Sequence, residues 1–149
     1  MIPPRRATID DVGAIEALQR AAYARNRVLL GVEPLPLRAD YHEIVARMEV
    51  WLFERDGALQ GVLALEAEPE ALLIWSVAVA PDAQGVGLGN RMLDFAHARA
   101  REINRATIRL YTGEKLRDNI GWYQRRGFAI DRTEALADRT VVYMSKRLV

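Results

Sequence analysis

The sequence predicts a mixed α/β fold with elements in the order β-α-α-β-β-β-α-β-α-β-β. Three observations carry that prediction. First, the run Leu72-Leu73-Ile74-Trp75-Ser76-Val77-Ala78-Val79-Ala80, closed by Pro81, reads as a buried strand. Second, a glycine-rich loop, Gln84-Gly85-Val86-Gly87-Leu88-Gly89, leads into a helix. Its Leu88, Met92, Phe95, Ala96 and Ile103 fall near helical spacing, with Arg91, Asp94, Arg99 and Arg101 on other faces. Third, residues 49–54 and 58–66 read as two strands around Asp56-Gly57, a strong signal for a two-residue hairpin.

The other elements follow from local chemistry. Residues 6–9 read as a short first strand. Asp10 or Asp11 caps the next helix, where a carboxylate also suits the helix dipole, and Ile15, Leu18 and Ala22 form its buried face. Gly31, Pro34 and Pro36 exclude a continuous helix across residues 25–40. Residues 42–48 are helical again. Pro69-Glu70 turns the chain into the apolar strand, so three successive antiparallel strands lead into the glycine loop. Residues 106–111 alternate as a strand. A short helix starts at Asp118 or Asn119, runs to Arg126 and stops at Gly127. Residues 128–132 and 140–146 close the order as two strands.

The 149 residues are one domain's worth, read here as a single domain over 1–149. With 21 basic and 20 acidic residues the net charge is +1, which leaves no general electrostatic footprint for nucleic acid. The absence of cysteine excludes disulfides, a thiolate nucleophile and cysteine metal sites, and fits a cytoplasmic protein. His42 and His97 lie far apart and form no metal motif. No apolar run approaches a membrane span, and the first residues lack the apolar core of a signal peptide.

The chemistry of the glycine loop is anion binding. Glycines let backbone approach a ligand and adopt positive φ. The first N–H groups of the following helix lack internal partners and carry the positive end of its dipole. A phosphate or pyrophosphate fits there without a charged side chain. A Walker loop would need Gly-Lys followed by Ser or Thr, and here Gly89 is followed by Asn90 and Arg91. A dinucleotide fingerprint would need glycine at position 90 and an acidic residue roughly 20 positions on, where Arg105, Ala106 and Thr107 stand.

Gln84-x-x-Gly87-x-Gly89, preceded by Val77-Ala78-Val79-x-Pro81, resembles motif A of the GNAT superfamily of N-acetyltransferases. Asn119-Ile120-x-x-Tyr123-x-x-x-Gly127-Phe128 resembles the second signature of the same superfamily. The resemblance implies the GNAT fold, a central mixed and mostly antiparallel sheet of about seven strands with helices on both faces. It implies acetyl-CoA as co-substrate, its pyrophosphate bound by Gln84, Gly85, Val86, Gly87, Leu88, Gly89 and Asn90. Val77, Ala78 and Val79 are implied to hydrogen-bond the pantetheine arm and the acetyl carbonyl. Asn119 is the implied polar contact to the co-substrate, or otherwise a helix N-cap. Tyr123 is implied to lie near the thioester sulfur and to donate to the departing thiolate.

The implied reaction is direct acetyl transfer to a primary amine of a small molecule or a protein, by a monomer or homodimer without membrane or nucleic-acid partners. No nucleophilic side chain is needed. Asp40, Tyr41, Trp75 and Ser76 are the candidates for acceptor contact, although Asp40 also reads as a helix cap and Tyr41 as a core residue. Two departures stand out. Many relatives carry a glutamate just before the Val-Ala-Val segment, where this chain has Trp75 and Ser76. Glu66, Glu68, Asp40 and His42 are the substitutes considered for a base. Gly113 stands where related sequences often have asparagine. The missing glutamate leaves a second reading open, an acyl-CoA-binding module without transferase activity.

Overall fold

The computed structural model describes residues 3–148; Met1, Ile2 and Val149, the ends of the predicted 1–149 domain, lie outside the described residues. Seven strands form one sheet: β1 (Arg5–Arg6), β2 (Glu49–Arg55), β3 (Ala58–Ala67), β4 (Ala71–Val79), β5 (Thr107–Gly113), β6 (Ala129–Ala135) and β7 (Thr140–Arg147). Their spatial order is β1-β2-β3-β4-β5-β7-β6, and β4 with β5 is the parallel pair in an otherwise antiparallel sheet. The last strand therefore inserts between β5 and β6. That leaves β6 as an exposed edge, which the sequence order alone did not indicate.

The helices are α1 (Val12–Ala22), α2 (Ala24–Leu30), α3 (Tyr41–Arg47), α4 (Leu88–Glu102) and α5 (Arg117–Arg125). One apolar layer joins Val12, Ile15 and Leu18 of α1 and Tyr41 and Ile44 of α3 to Val50, Leu52, Val62, Ala64 and Ala78 of the sheet. The other joins Leu88, Met92, Leu93, Ala96 and Ala100 of α4 and Tyr123 of α5 to Leu63, Leu65, Leu72, Ile74, Ile108, Leu110 and Met144. The strands alternate because successive side chains supply opposite layers.

Several elements differ from expectation for identifiable reasons. The first strand is Arg5–Arg6, not residues 6–9, because residues 9–11 tighten into a 3₁₀ turn before α1. Asp11, not Asp10, serves that end: its carboxylate accepts from the Thr8 N–H at 2.8 Å and from the Arg5 guanidinium at 2.9 and 3.0 Å. The segment 25–40 is not one helix, as expected, but it opens with a helix the sequence did not signal. Val28 and Leu29 of α2 are exposed and only Leu30 is buried, so no apolar periodicity marked it; Gly31 ends it at φ 73°. The order thus gains a third helix before β2. The hairpin between β2 and β3 forms as expected, with Asp56 at φ 52° and Gly57 at φ 79°.

The difference that matters most lies inside β4. Ser76 pairs with Ala64, but Ile74 pairs with Leu65, so Trp75 is an extra residue in a β-bulge. A bulge shifts the parity of the residues that follow. Leu72 and Ile74 therefore belong to the α4 layer, whereas Trp75, Ser76 and Ala78 turn toward α1. An unbroken apolar run carries no mark of such a shift.

Candidate active site

Strands β4 and β5 pair only through Ala71–Ile74 and Thr107–Leu110. Beyond those residues β4 stays with β3, β5 stays with β7, and the two strands part. The gap is a cleft of about 580 Å³ running from the glycine loop to the α1–α2 side of the sheet. Parting leaves backbone groups free. Ala80 N–H donates to Gln60 O on β3 at 2.8 Å. Alternate residues of a strand direct their N–H and C=O to opposite edges. Val77 and Val79 therefore present theirs to the cleft. The Val79 carbonyl is taken by the Gln84 side-chain amide at 3.2 Å, and the Val79 N–H remains available.

The glycine loop closes one end of the cleft. Gly85 and Gly87 both sit at φ 83°, a left-handed conformation that glycine adopts without strain. Gly87 is the N-cap of α4 and has no side-chain cap. The first helical bond is Arg91 N–H to Gly87 O at 3.1 Å, so the N–H groups of Leu88, Gly89 and Asn90 lack partners within the helix. A Cβ on Gly85 or Gly87 would meet nothing within 4 Å, so the cradle is open. Gly89 has a different reason to be glycine, since a Cβ there would lie 3.2 Å from the Trp122 ring. Trp122 Nε1 donates to Asn90 Oδ1 at 2.9 Å and ties α5 to this loop. Val86 is the one loop residue whose side chain points away, 58% exposed and outside the lining, so only its backbone can serve a ligand.

Helix α5 forms the opposite wall. It starts at Arg117 after Leu116, so Asn119 lies in the first turn and is not the N-cap; its side chain lines the cleft. Gly127 ends the helix at φ 96°, as expected. Tyr123 is 8% exposed and packs against Trp122 and Phe128 with centroids 4.9 and 5.8 Å away. Burial, with Tyr23 nearby, holds its phenol well above the usual tyrosine range. It therefore remains a hydrogen-bond donor at any working pH.

The third wall is polar where the α1 side meets the bulge. The Ser76 hydroxyl lies 2.9 Å from the Tyr23 hydroxyl and accepts from Gln19 Nε2 at 3.3 Å. Ser76, Tyr23 and Trp75 all line the cleft. Tyr23 and Gln19 escaped the sequence reading. Gln19 is fully buried one position after Leu18 on the apolar face of α1, and a buried glutamine on an apolar face was the one available signal.

Asp40 and Tyr41 do not reach the cleft lining. Asp40 caps α3 by accepting from His42 N–H at 3.0 Å, and Tyr41 is buried with its hydroxyl donating to Pro36 O at 2.8 Å. The considered bases are also committed elsewhere: Glu66 pairs with Arg47 at 3.1 Å, and Glu68 grips Arg109 at 2.5 and 2.7 Å. His42 is exposed beside Asp40, and His97 sits on α4 with Nδ1 2.5 Å from Leu93 O. Among the described residues, no aspartate, glutamate or histidine lines the cleft.

Gly113 acquires a reason. A Cβ there would lie 2.6 Å from Leu30 Cδ2, because α2 packs its one buried side chain against this backbone. Gly113→Asn is expected to push Leu30 aside and cost about 1–2 kcal/mol, at the lower end for overpacking because the obstacle is a side-chain tip. Thermal melts check this, and adding Leu30→Ala should recover part of the loss specifically in the Gly113→Asn background.

Residues 46–130 match the family described as the acetyltransferase (GNAT) domain, and the chain belongs to that family. It is 32% identical over 146 residues to an amino-acid acetyltransferase of Ralstonia nicotianae, covering 96% of this chain and 30% of that protein. It is 35% identical over 89 residues to a mycothiol acetyltransferase of Cellulomonas flavigena, covering 52% of this chain and 26% of that protein. The chain thus spans under a third of the length of these curated relatives. Its fold matches the PaiA N-acetyltransferase of Thermoplasma acidophilum, solved in complex with coenzyme A, with a TM-score of 0.82 at 15% identity over 99% of both chains. Acetyl-CoA is the co-substrate that this family fits, and the cleft offers chemistry suited to it: open glycines, helix N–H groups without intrahelical partners and free amides on β4. Among the described residues no helix is long and apolar enough to cross a membrane.

Proposed function

We propose that residues 1–149 form one N-acetyltransferase domain that moves an acetyl group from acetyl-CoA directly to a primary amine of a small molecule or protein. One observation carries the reading. A single cleft joins the anion cradle of α4 to a separate polar pocket on the α1 side, and the free β4 edge and Tyr123 both lie along it. Two reactants held in that arrangement need little else, because positioning removes most of the entropic barrier.

Each wall has a task. The amides of residues 84–90, with Asn119, hold the co-substrate. The Val79 N–H points where negative charge develops on the acetyl oxygen, an oxyanion donor that needs no reorganisation. Tyr123 donates a hydrogen bond to the departing sulfur. With its phenol displaced upward by burial, it stabilises the thiolate by sharing its proton, without full transfer. The names of the relatives support a small-molecule amine over a protein as acceptor, and the cysteine-free composition fits the cytoplasm as compartment.

The absence of a carboxylate or imidazole from the lining supports a second reading, an acyl-CoA-binding module that does not turn over. An amine panel separates the two. The protein is incubated with acetyl-CoA and amino acids, arylalkylamines, polyamines or a short peptide, and released thiol is followed. The transferase reading expects amine-dependent thiol release; binding of acetyl-CoA with none across the panel would favour the module.

A further inference from the structure

The Ser76 hydroxyl is the middle of a chain that ends in the cleft. Gln19 Nε2 fills one of its lone pairs at 3.3 Å, and the Tyr23 hydroxyl lies 2.9 Å away. Behind them Gln19 Oε1 is enclosed without a partner, a desolvation cost that an apolar residue would not carry. The bulge at Trp75 is what turns Ser76 to this side; with regular pleating it would share the face of Ile74. A buried polar chain held at such cost, ending at a cleft wall, calls for a ligand group at its open end.

We infer that Tyr23, held by Ser76 and Gln19, receives the acceptor as an uncharged primary amine, in a site that supplies no base of its own. This rests on the transferase reading above. A hydroxyl has one proton and two lone pairs. When Tyr23 donates to Ser76, a Tyr23 lone pair remains to accept one N–H of the amine, and the nitrogen lone pair is free to attack. Ser76 and Gln19 are positioning residues that hold that hydroxyl in place; the Tyr23–Ser76 bond can run in either sense, and capture of the amine uses the one in which Tyr23 donates.

The surroundings favour the uncharged amine. The titratable groups around Tyr23 are phenols: Tyr41 on α3, Tyr111 on β5 and Tyr123 on α5, all displaced upward by burial like Tyr23 itself. The charged residues of the lining are Arg25 on α2 and Arg139 just before β7. Both guanidinium groups are paired, Arg25 with Asp118 at 3.4 Å and Arg139 with Asp138 at 3.0 Å, so an ammonium entering the cleft meets no unpaired carboxylate among the described lining residues. None of these phenols titrates between about pH 6 and 9. The chemistry balances without a resident base. A C–N bond forms and the C–S bond breaks; the nitrogen sheds one proton, and the departing thiolate takes up one.

The pH dependence must then belong to the acceptor. Its kcat/KM should follow the uncharged fraction of each amine, so the rising limb moves with the pKa of the amine. A carboxylate base would fix that limb at one pH for every acceptor.

Three small probes test this without knowledge of the natural acceptor: hydroxylamine, largely uncharged at neutral pH; hydrazine, mostly protonated at pH 7 and largely uncharged by about pH 9; and methylamine, almost wholly ammonium across this range. Acetylation is measured with saturating acetyl-CoA from pH 6 to 9, after subtracting the uncatalysed rate. The expected result is catalysed acetylation of hydroxylamine and hydrazine at pH 7, with the methylamine rate climbing about tenfold per pH unit, in step with its uncharged fraction. Tyr23→Phe and Ser76→Ala should each lower kcat/KM for hydroxylamine roughly tenfold, one hydrogen bond's worth, with acetyl-CoA affinity unchanged. Ser76→Thr, which keeps the hydroxyl, should restore most of the loss. A rising limb at the same pH for all three amines would overturn the absence of a base, and wild-type kinetics in Tyr23→Phe would overturn the capture role. If wild type binds acetyl-CoA but acetylates none of the probes, the transferase reading itself fails, and this role with it.

Discussion

Gly87→Glu is expected to abolish acetyl-CoA binding in a protein that still folds. Gly87 holds φ 83° at the start of α4, where a residue with a Cβ costs about 1–2 kcal/mol. A domain stable by roughly 5–15 kcal/mol tolerates that loss. The side chain itself meets no obstacle, since nothing lies within 4 Å of a Cβ there. Its carboxylate would project into the cradle formed by the N–H groups of Leu88, Gly89 and Asn90, satisfy them internally and repel a phosphate. Losing a charge-assisted hydrogen bond and gaining a like charge should together raise Kd by about 100-fold or more. Gly87→Ala carries the backbone strain without the charge and should weaken binding far less. Calorimetry on both variants, with circular dichroism to confirm folding, separates charge from strain. Equal losses in the two would assign the effect to loop geometry and deny the anion cradle.

Tyr123→Phe should reduce turnover by about 100-fold, the lower end for a positioned proton donor, while leaving acetyl-CoA affinity within about threefold of wild type. Phenylalanine keeps the ring contacts with Trp122 and Phe128, so the wall of the cleft stays in place. Only the hydroxyl disappears, and with it the donor to the departing thiolate. A loss confined to KM for acetyl-CoA would show that Tyr123 binds the co-substrate without aiding departure of sulfur. Because burial displaces the phenol upward, the wild-type pH profile should show no alkaline fall from Tyr123 below about pH 10. A descending limb near pH 8 that vanishes in Tyr123→Phe would contradict that protonation state.

The parts of the fold read correctly are those whose physics is local. The Asp56-Gly57 turn located the hairpin of β2 and β3. The spacing of glycines before an amphipathic helix located the loop and the start of α4, and Gly127 located the end of α5. What escaped depends on tertiary placement. The exposed face of α2 left no periodic signal, because its one buried residue, Leu30, packs on Gly113 of a distant strand. The insertion of β7 between β5 and β6 leaves no trace in element order. The bulge at Trp75 is hidden because apolar residues stand on both sides of it.

The same bulge explains why the acceptor wall was only half legible. Trp75 and Ser76 were candidates because they occupy the strand position where relatives carry a glutamate. Their partners were invisible: Gln19 and Tyr23 lie 57 and 53 residues from Ser76 and meet it only across the α1–β4 contact. Asp40 and Tyr41 read in two ways, as acceptor contacts and, in preference, as a helix cap and a core residue. The hydrogen bonds from His42 N–H to Asp40 and from Tyr41 to Pro36 O decide for the helix.

Selection of acetyl-CoA over other phosphate ligands is what this cleft is proposed to do. Calorimetric titration of the wild-type chain with acetyl-CoA, with ATP and NAD as controls, tests it most directly. Saturable one-to-one binding of acetyl-CoA, and none of ATP or NAD, is the expected result. A well-folded protein that ignored acetyl-CoA, or bound ATP or NAD as tightly, would contradict it and leave the loop from Gln84 to Asn90 a turn between strand and helix or a site for a different phosphate.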